Sequence, residues 1–361
     1  MLNNQALRTT ATKIFDFGAY KIYWTFKEVI NKFTIYAINI LLSSIFKGDF
    51  YMSYTGGYVE HPFHYSGIST FAGFANKRNL DNVDLAIMGI PFDIGTTNRP
   101  GARLGPRAVR AVSNLAFRSD YLWTTESFNL KKACPNIIDY GDVGAAVGAK
   151  ATEFMIRESY KHAKLILNSG ASLVSIGGDH TIPYGPIIAA SEKYGPLALL
   201  HFDSHQDSIP SHGDYSHANF AYDLAHEGCI DPSKSAQVCI RTRMENCGYN
   251  IIYANKVIEL GPVGLANVIK SIVGNMPVYL TFDIDALDPA YAPGTGTPVC
   301  GGPSTNLIKC TLRELEGINI VAADMVEVSP TYDANEITAL AAASIMQDIV
   351  YLIAKNRIKN N

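Results

Sequence analysis

Carboxylates and an imidazole alternate along one short segment of this chain. Asp203, His205 and Asp207 occupy every second position of the sequence HFDSHQD. Side chains at every second position of an extended strand point to the same face, so we expect these three groups to converge. Two carboxylates held that close would repel each other and raise a pKa, and a divalent cation would remove the repulsion. The pattern therefore predicts a metal site.

Two further segments carry residues of the same kind. The sequence TFDID places Asp283 and Asp285 at alternate positions, and the sequence GGDH ends at His180. Taken singly, Asp-x-Asp is more often a turn or a helix cap, and GGDH can be a turn with a capping aspartate. The presence of all three segments in one chain is very unlikely to be a coincidence. Four carboxylates and two imidazoles are too many ligands for one tetrahedral zinc ion. Two hard or borderline ions that share bridging carboxylates fit the set better.

Short apolar runs alternate with helical patterns from Val83 onward. This alternation predicts an α/β fold, with helices on both faces of a central, mostly parallel sheet. The predicted strands are 84–90, 136–139, 172–176, 197–202, 237–240, 278–282 and 320–326. The predicted helices are 105–115, 152–168, 183–194, 218–226, 264–273, 304–317 and 336–354. The last helix is strongly apolar, but Gln347 and Asp348 interrupt it, so we expect a core helix rather than a membrane span.

Each candidate ligand segment begins where a predicted strand gives way to a loop. His180 follows the strand 172–176, Asp203 follows 197–202, and Asp283 follows 278–282. Active sites of open α/β sheets lie in the crevice outside the carboxyl ends of their strands. We therefore expect all six ligands at one edge of the sheet.

Composition limits the partners of the chain. Its net charge is −3 and its basic residues are scattered rather than clustered, which does not favour nucleic-acid binding. Its six cysteines form no CxxC pair, as is typical of reduced thiols in the cytoplasm. We expect a cytoplasmic protein with neither a nucleic-acid nor a membrane partner.

The first 51 residues differ in composition from the rest. They are rich in Phe, Ile, Tyr, Asn and Lys, whose codons are AT-rich, and polar residues interrupt their longest apolar run. That run is too short and too polar for a membrane span. We expect an atypical N-terminal extension, either translated non-coding sequence ahead of Met52 or a targeting or interfacial segment. One catalytic domain would follow over residues 52–361.

The ligand segments and their flanks resemble a known family. GGDH, HFDSHQD and TFDIDALDPAYAPGTGTPVCGG are similar to the three motif blocks of the ureohydrolases, the arginase/agmatinase family. The stretches GNMPVYLTFDIDALDP, MVEVSPTYDANEITALAAA and SNLAF resemble the bacterial agmatinases of that family, whereas GIPFDIGTTNRPGARLGPRAVR is shared with guanidinobutyrases. The resemblance runs from about Gly89 to the C-terminus. It implies a three-layer α/β/α, arginase-like fold and hydrolysis of a guanidino group to urea and an amine, first of all agmatine to putrescine and urea.

The resemblance also implies two Mn²⁺ ions, which Ni²⁺ or Co²⁺ could displace. One ion would be held by His180, Asp203, Asp207 and Asp283. The other would be held by His205, Asp203, Asp283 and Asp285. In this arrangement Asp203 and Asp283 would bridge the two ions.

Two catalytic roles are implied as well. His217 occupies the position of the family's proton-shuttling histidine, and Glu327, in VEVSP, matches the carboxylate that binds the substrate guanidinium. Family members commonly have His-Gly-Thr or His-Gly-Met where this chain has His217-Ala218-Asn219. Alanine lacks the freedom of glycine at positive φ, so we expect the local backbone and the substrate preference to differ.

Weaker expectations concern the surrounding loops. Asp214, in SIPSHGDYSH, is a candidate contact for the amine end of agmatine, although a solvated loop aspartate is the alternative. His201 is expected beside the ligands without a metal contact, and His212 and His226 are expected in solvent. Arg99 and Arg103 are expected to support a loop near the site.

Several alternatives remain open at this stage. Sibling enzymes act on guanidinobutyrate, free guanidine or another guanidino compound, and arginase is disfavoured because the loop after Asp207 lacks the Asn-bearing, Gly-rich pattern of arginases. Related deacetylases hold a single zinc, which the six ligands here argue against. A non-catalytic paralogue is the remote alternative. The family implies a homotrimer or a homohexamer.

Overall fold

A computed structural model describes residues 67–116, 129–244 and 246–360, and four short strands outside these ranges. The chain divides into two compact units, Met1–Ser53 and Tyr54–Asn361. In the first unit, strands β1 (Thr12–Phe17) and β2 (Tyr20–Thr25) pair antiparallel. Most of the predicted N-terminal extension lies outside the described residues, so its origin stays a prediction.

A nine-stranded sheet forms the centre of the second unit. Its strands are β3 (Ala75–Asn76), β4 (Leu85–Ile90), β7 (Ile137–Asp142), β8 (Ser172–Gly177), β9 (Ala198–Phe202), β10 (Ala236–Ile240), β11 (Asn250–Tyr253), β12 (Val278–Asp283) and β13 (Ile320–Val326). Their order is β11-β10-β9-β12-β13-β8-β4-β7-β3. Two further strands, β5 (Leu122–Trp123) and β6 (Glu126–Ser127), form a separate antiparallel pair.

Every pair of neighbouring strands in the large sheet is parallel. All seven predicted strands are present, with ends shifted by a few residues at most. The prediction missed the two edge strands, β3 and β11, because each is short and only partly buried. An edge strand does not show the continuous apolar run that a parallel sheet imposes on its central strands.

Helices cover both faces of the sheet. They are α1 (Gly105–Ala116), α2 (Leu130–Ala133), α3 (Ala151–Asn168), α4 (Tyr184–Tyr194), α5 (Phe220–His226), α6 (Ala254–Val273), α7 (Thr305–Glu314) and α8 (Ile337–Asn360). One buried apolar cluster joins α1, α2, α6, α7 and α8 to the sheet, and a second joins α3, α4 and α5 to it. Successive residues of a strand belong to different clusters, as Leu85 and Ala86 do in β4. The unit therefore has three layers.

Among the described residues, all seven predicted helices are present, the four-residue α2 was missed, and one predicted helix has a clear error in its bounds. Helix α6 begins at Ala254 rather than at 264, and its backbone is not helical at Gly261 (φ 62°), which precedes Pro262. Gly261 and Pro262 interrupt the helix between its first part, which was not predicted, and its second part, which was.

Helix α8 is long and apolar enough to cross a membrane by length and composition alone. In the segment Ala334–Arg357, 83% of the most apolar window is buried inside the protein. Gln347 and Asp348 are buried as well, and Asp348 pairs with Lys309. These contacts make α8 the core helix that the sequence predicted.

Candidate metal centre

The predicted ligands lie at the carboxyl ends of three strands, β8, β9 and β12, within a run of four adjacent strands. Asp203 follows β9, Asp283 ends β12, and His180 follows β8 after a turn. The strand order β9-β12-β13-β8 brings these ends together at one edge of the sheet. The turn before His180 requires Gly178, because a Cβ there would lie 1.6 Å from the carbonyl oxygen of Phe92.

One group of ligands surrounds the imidazole of His180. Its Nδ1 lies 3.0 Å from Asp203 Oδ2, 3.0 Å from Asp207 Oδ2 and 3.4 Å from Asp283 Oδ2. The His180 side chain is fully buried, and despite these short distances its Nδ1 has no hydrogen-bond partner within the described part of the chain. Three carboxylate oxygens thus converge on one ring nitrogen.

The far side of His180 fixes which ring nitrogen carries the proton. Its Nε2 lies 2.8 Å from the hydroxyl of Thr281, which donates at 2.5 Å to buried Asp324. Tyr279 donates to the other oxygen of the same carboxylate. The single proton of the Thr281 hydroxyl is used in its bond to Asp324, so the Thr281 oxygen accepts from His180 Nε2–H. Nδ1 is then the ring nitrogen that faces the three carboxylates. Burial opposes protonation of this ring, but the carboxylates raise the pKa of His180 well above its ordinary value. A metal cation could take the place of a proton on that nitrogen.

A second group surrounds His205. Its Nδ1 lies 3.2 Å from Asp285 Oδ2 and 3.4 Å from Asp203 Oδ1. Asp203 therefore presents one oxygen to each group. Asp283 presents Oδ2 to the first group, while its Oδ1 accepts a hydrogen bond from the Asp285 N–H at 2.7 Å. Its role as a second bridge stays a prediction.

The electrostatics of the cluster also favour bound cations. Burial and the charges of Asp285 and Asp203 raise the pKa of Asp283 well above its ordinary value. Burial and the charge of Asp203 raise the pKa of Asp285. Burial opposes ionisation of Asp203 too, but His201, His180 and His205 lower its pKa. Buried carboxylates with opposed pKa shifts and an unpartnered imidazole fit a divalent metal ion.

His201 lies close to the ligands, yet its hydrogen bonds set it apart. Its side chain is near enough to those of His180, Asp203 and Asp207 for the four to surround one ion. However, its Nε2 lies 2.8 Å from Asp203 Oδ2, and its Nδ1 lies 3.1 Å from the amide nitrogen of Gln237. Both ring nitrogens already have partners within the protein.

His217 and Glu327 form a buried pair beside the cluster. The Nδ1 of His217 lies 2.9 Å from Glu327 Oε1, which also accepts the N–H of His180 at 3.0 Å. Glu327 Oε2 is buried and has no hydrogen-bond partner among the described residues. That oxygen is an acceptor available to a bound cation such as a guanidinium.

The protonation of His217 depends on its two neighbours. Burial lowers its pKa, but the hydrogen bond to Glu327 and the nearby carboxylate charges raise the pKa of His217 to about 9. Its Nε2 lies 2.7 Å from the hydroxyl of Thr97, and the Thr97 N–H donates to it at 3.1 Å. The backbone N–H only donates, so it matches a neutral ring whose proton lies on Nδ1. The hydroxyl can donate to that ring or accept from a protonated one, so it offers an acceptor when Nε2 carries a proton.

The departure at Ala218 causes no backbone strain. Ala218 is not among the described residues with positive φ, and the side-chain amide of Asn219 donates to the Ile209 carbonyl at 2.7 Å. Alanine is therefore accommodated beside His217, and Asn219 ties the helix start to the preceding loop. The substrate preference inferred from this departure stays a prediction.

The loop from Ser208 to His217 is largely exposed at its middle. Asp214 and His212 lie in solvent, as does His226. Arg103 pairs with Asp93, and the guanidinium of Arg99 lies 5.2 Å from the centre of the Tyr332 ring. The contacts of the two arginines are those of structural support for the loop after β4.

The sequence did not single out several residues that hold the site together. Asp179 is buried and accepts the N–H groups of Gly95 and Thr181, while Thr97 contacts His217. The motif GGDH contains Asp179, but nothing in the sequence links it to Gly95. Asp207 and Glu327 have positive φ values of 45° and 63°, which non-glycine residues rarely adopt and which are often found at functional sites.

Fold and site together define the class of the protein, an α/β protein with a histidine–carboxylate cluster at the ends of its parallel strands. The sequence profile of the arginase family matches residues 83–351. An agmatinase from Chromobacterium violaceum is 44% identical over 300 residues, which cover 81% of this chain and 91% of that protein. An agmatinase from Photorhabdus laumondii is 42% identical and covers 76% of this chain and 89% of its own length.

Solved structures give the same result. A hypothetical agmatinase from Burkholderia thailandensis superposes with a TM-score of 0.77 at 43% identity, covering 82% of this chain and 94% of that one. The proclavaminate amidino hydrolase of Streptomyces clavuligerus superposes with a TM-score of 0.76 at 32% identity, covering 81% and 99%. The chain belongs to the arginase family and has its three-layer α/β/α fold.

Proposed function

We propose that this chain hydrolyses agmatine to putrescine and urea with two divalent metal ions, Mn²⁺ by preference. The catalytic domain would span residues 52–361. The proposed metal ligands are His180, Asp203, His205, Asp207, Asp283 and Asp285, with His217 and Glu327 as the groups that act on the substrate.

One observation carries this proposal. The carboxylate of Asp203 directs Oδ2 to His180 and Oδ1 to His205, so a single buried side chain faces two separate groups of ligands. A carboxylate in that position is suited to bridge two ions. Six oxygen and nitrogen ligands of this kind suit Mn²⁺, although Ni²⁺ or Co²⁺ would compete for them.

Two bound cations would supply hydroxide near neutral pH by lowering the pKa of a water molecule. The protein's own part begins with Glu327. Its unpartnered Oε2 accepts N–H groups of the substrate guanidinium, and such a hydrogen bond between opposite charges is stronger than a neutral one. The other oxygen is held by His180 N–H and His217, so the carboxylate cannot rotate freely.

His217 supplies the proton that the leaving amine needs. Attack on the guanidinium carbon gives a tetrahedral intermediate, whose collapse to urea requires protonation of the departing nitrogen. Because the pKa of His217 is raised to about 9, its ring is protonated at neutral pH. Glu327 orients the ring through Nδ1, which leaves Nε2, next to Thr97, as the atom that gives up the proton.

The tail of the substrate is the less constrained part of the proposal. The agmatinases among the relatives are 40–44% identical to this chain over most of its length, which favours agmatine. We propose Asp214 as a contact for the distal ammonium. We also propose a cytoplasmic homotrimer or homohexamer, whose mass light scattering would measure.

A urea-release screen tests the function directly. The chain, loaded with Mn²⁺ or Ni²⁺, would be assayed against agmatine, guanidinobutyrate, arginine and guanidine. We expect the largest kcat/KM with agmatine. A larger value with guanidinobutyrate or guanidine would reassign the substrate within the family. Stoichiometric metal binding without urea from any of the four would contradict the hydrolase proposal and favour a non-catalytic paralogue.

A further inference from the structure

A row of polar side chains crosses the apolar sheet directly beneath the ligands. Each strand from β10 to β8 contributes one fully buried member at the same register, namely Gln237, His201, Thr281, Asp324 and Ser175. In-register residues of parallel strands point to the same face, here the face that α3, α4 and α5 cover. Buried polar groups are costly unless hydrogen-bonded, so the row requires a reason.

The row contains one imidazole, His201, and contacts a second, His180, through Thr281. The ring centres of His180 and His201 are 5.0 Å apart, and both are within reach of one ion. Thr281 accepts from His180 Nε2–H, so the His180 nitrogen that faces the ligands is Nδ1. The ring of His201 contacts a different member of the row, Gln237, whose side-chain amide is a donor instead of an acceptor.

The orientation of the Gln237 amide follows from its other neighbour. Its Nε2 lies 2.5 Å from the backbone carbonyl oxygen of Gln206 and 3.1 Å from His201 Nδ1. A carbonyl oxygen only accepts, and the reversed amide would bring two acceptors into contact. One amide N–H therefore donates to Gln206, and the second points at His201.

This donor determines the tautomer of His201. Because Nδ1 accepts from the amide, the ring proton lies on Nε2, which donates to Asp203 Oδ2 at 2.8 Å. We propose that Gln237 is a positioning residue: it holds His201 as the Nε2–H tautomer, so that His201 donates to Asp203 and is excluded from the metal ligands.

The consequence for Asp203 is a fixed carboxylate. His201 donates to Oδ2 from one side, and the His205 N–H donates to Oδ1 at 2.6 Å from the other. Each oxygen keeps one donor and faces one ligand group. The division of this carboxylate between two groups, on which the proposed function rests, is thus held by two hydrogen bonds, and Gln237 controls one of them.

Nitrogen NMR of the histidine rings in the full chain tests the proposal without any variant. In the Zn²⁺-loaded, diamagnetic protein we expect the ring of His201 to carry its only proton on Nε2. A proton on Nδ1, or a shift typical of a metal-bound Nε2, would overturn the proposal. If no Zn²⁺ binds, the proposed metal function fails, while the tautomer can still be recorded in the metal-free chain.

A pair of variants adds a measurement of metal affinity. Gln237→Met keeps the length of the side chain but cannot donate, so we expect mixed tautomers of His201 and about 10- to 100-fold weaker metal binding in calorimetric titrations. Ser175→Ala is the matched control: Ser175 lies in the same row, is equally buried, and its hydroxyl has no partner among the residues that the structure describes. We expect it to bind metal as the parent chain does.

Two outcomes would contradict the role of Gln237. One is a folded Gln237→Met protein, judged by circular dichroism, with the parent tautomer and affinity. The other is an equal loss of affinity in Ser175→Ala, which would indicate a general response of the core. Neither readout uses urea release, so failure of the proposed reaction remains distinguishable from failure of this inference.

Discussion

At the ligand cluster the side chains are buried and held from behind, whereas along the loop from Ser208 to His217 the middle residues are exposed to solvent. His180 and Asp203 are fully buried, and each is oriented by hydrogen bonds from the sheet. Asp214 is exposed, and its backbone N–H donates to the Ser211 carbonyl at 2.9 Å. The contrast teaches that this fold constrains the reacting groups tightly and the contact with the substrate tail weakly.

The largest expected effect comes from removing the charge of the shared carboxylate. Asp203→Asn should weaken binding of both ions by more than the roughly 100-fold that a residue behind the ligands can cost, and urea release should fall with metal content. Asp214→Asn is the matched control, since it makes the same chemical change in the exposed loop. Equal metal content in the two variants would contradict the view that the ligand cluster binds the ions and the exposed loop does not.

The next effect separates proton transfer from metal binding. His217→Asn should lower kcat by about 10²–10⁴-fold, the usual contribution of a general acid, with metal content unchanged by elemental analysis. A variant that instead raised KM alone would show that His217 binds substrate without donating a proton.

A smaller effect is expected at the guanidinium contact. Glu327→Gln keeps a hydrogen-bond acceptor but loses the charge, and hydrogen bonds to charged groups contribute about 1.5–3 kcal/mol. We therefore expect kcat/KM for agmatine to fall roughly 10- to 100-fold. Steady-state kinetics with unchanged kcat/KM would remove Glu327 from substrate recognition.

The pH dependence of kcat should depend on the same pair, His217 and Glu327. Because the pKa of His217 is raised to about 9, its acid form is complete at neutral pH, and kcat should decline as pH rises through that value. The stabilising contact with Glu327 is likewise fully present below the ordinary histidine pKa of about 6.5 and is lost as pH rises through the folded-state value. In Glu327→Gln the decline of kcat should move to lower pH. A pH profile identical to that of the parent chain would mean that a group other than His217 causes the decline.

The smallest effect is expected in the exposed loop. Asp214→Asn should raise KM for agmatine by no more than about fivefold, since an exposed charge contributes about 0.2–1 kcal/mol, with kcat unchanged. Guanidinobutyrate, which ends in a carboxylate, is the control substrate and should not lose affinity. An unchanged KM for agmatine would leave Asp214 as a solvated loop residue.

The sequence predicted the part of the site that chain-local patterns encode. The alternation at Asp203, His205 and Asp207 and the apolar strands before each motif were enough to place the ligands at one sheet edge. Parallel strands with both faces covered have a plain pattern, so the central sheet was predictable as well.

The features of the site that the sequence did not predict depend on strand order and register. Gln237 is a single polar residue in the apolar strand AQVCI, but its meaning appears only when β10 lies beside β9 and places it against His201. The contact of Thr97 with His217 joins residues 120 positions apart. The positive φ of Asp207 and Glu327 goes against local preference, and tertiary contacts impose it.

The most direct test of the account is urea release measured against the number of bound ions. Metal-free chain would be titrated with Mn²⁺, and bound metal and urea from agmatine would be determined on the same samples. We predict that activity reaches its maximum at two ions per chain, with putrescine formed in equal amount to urea. Full activity at one ion per chain would contradict a reaction that depends on Asp203 between two metal groups.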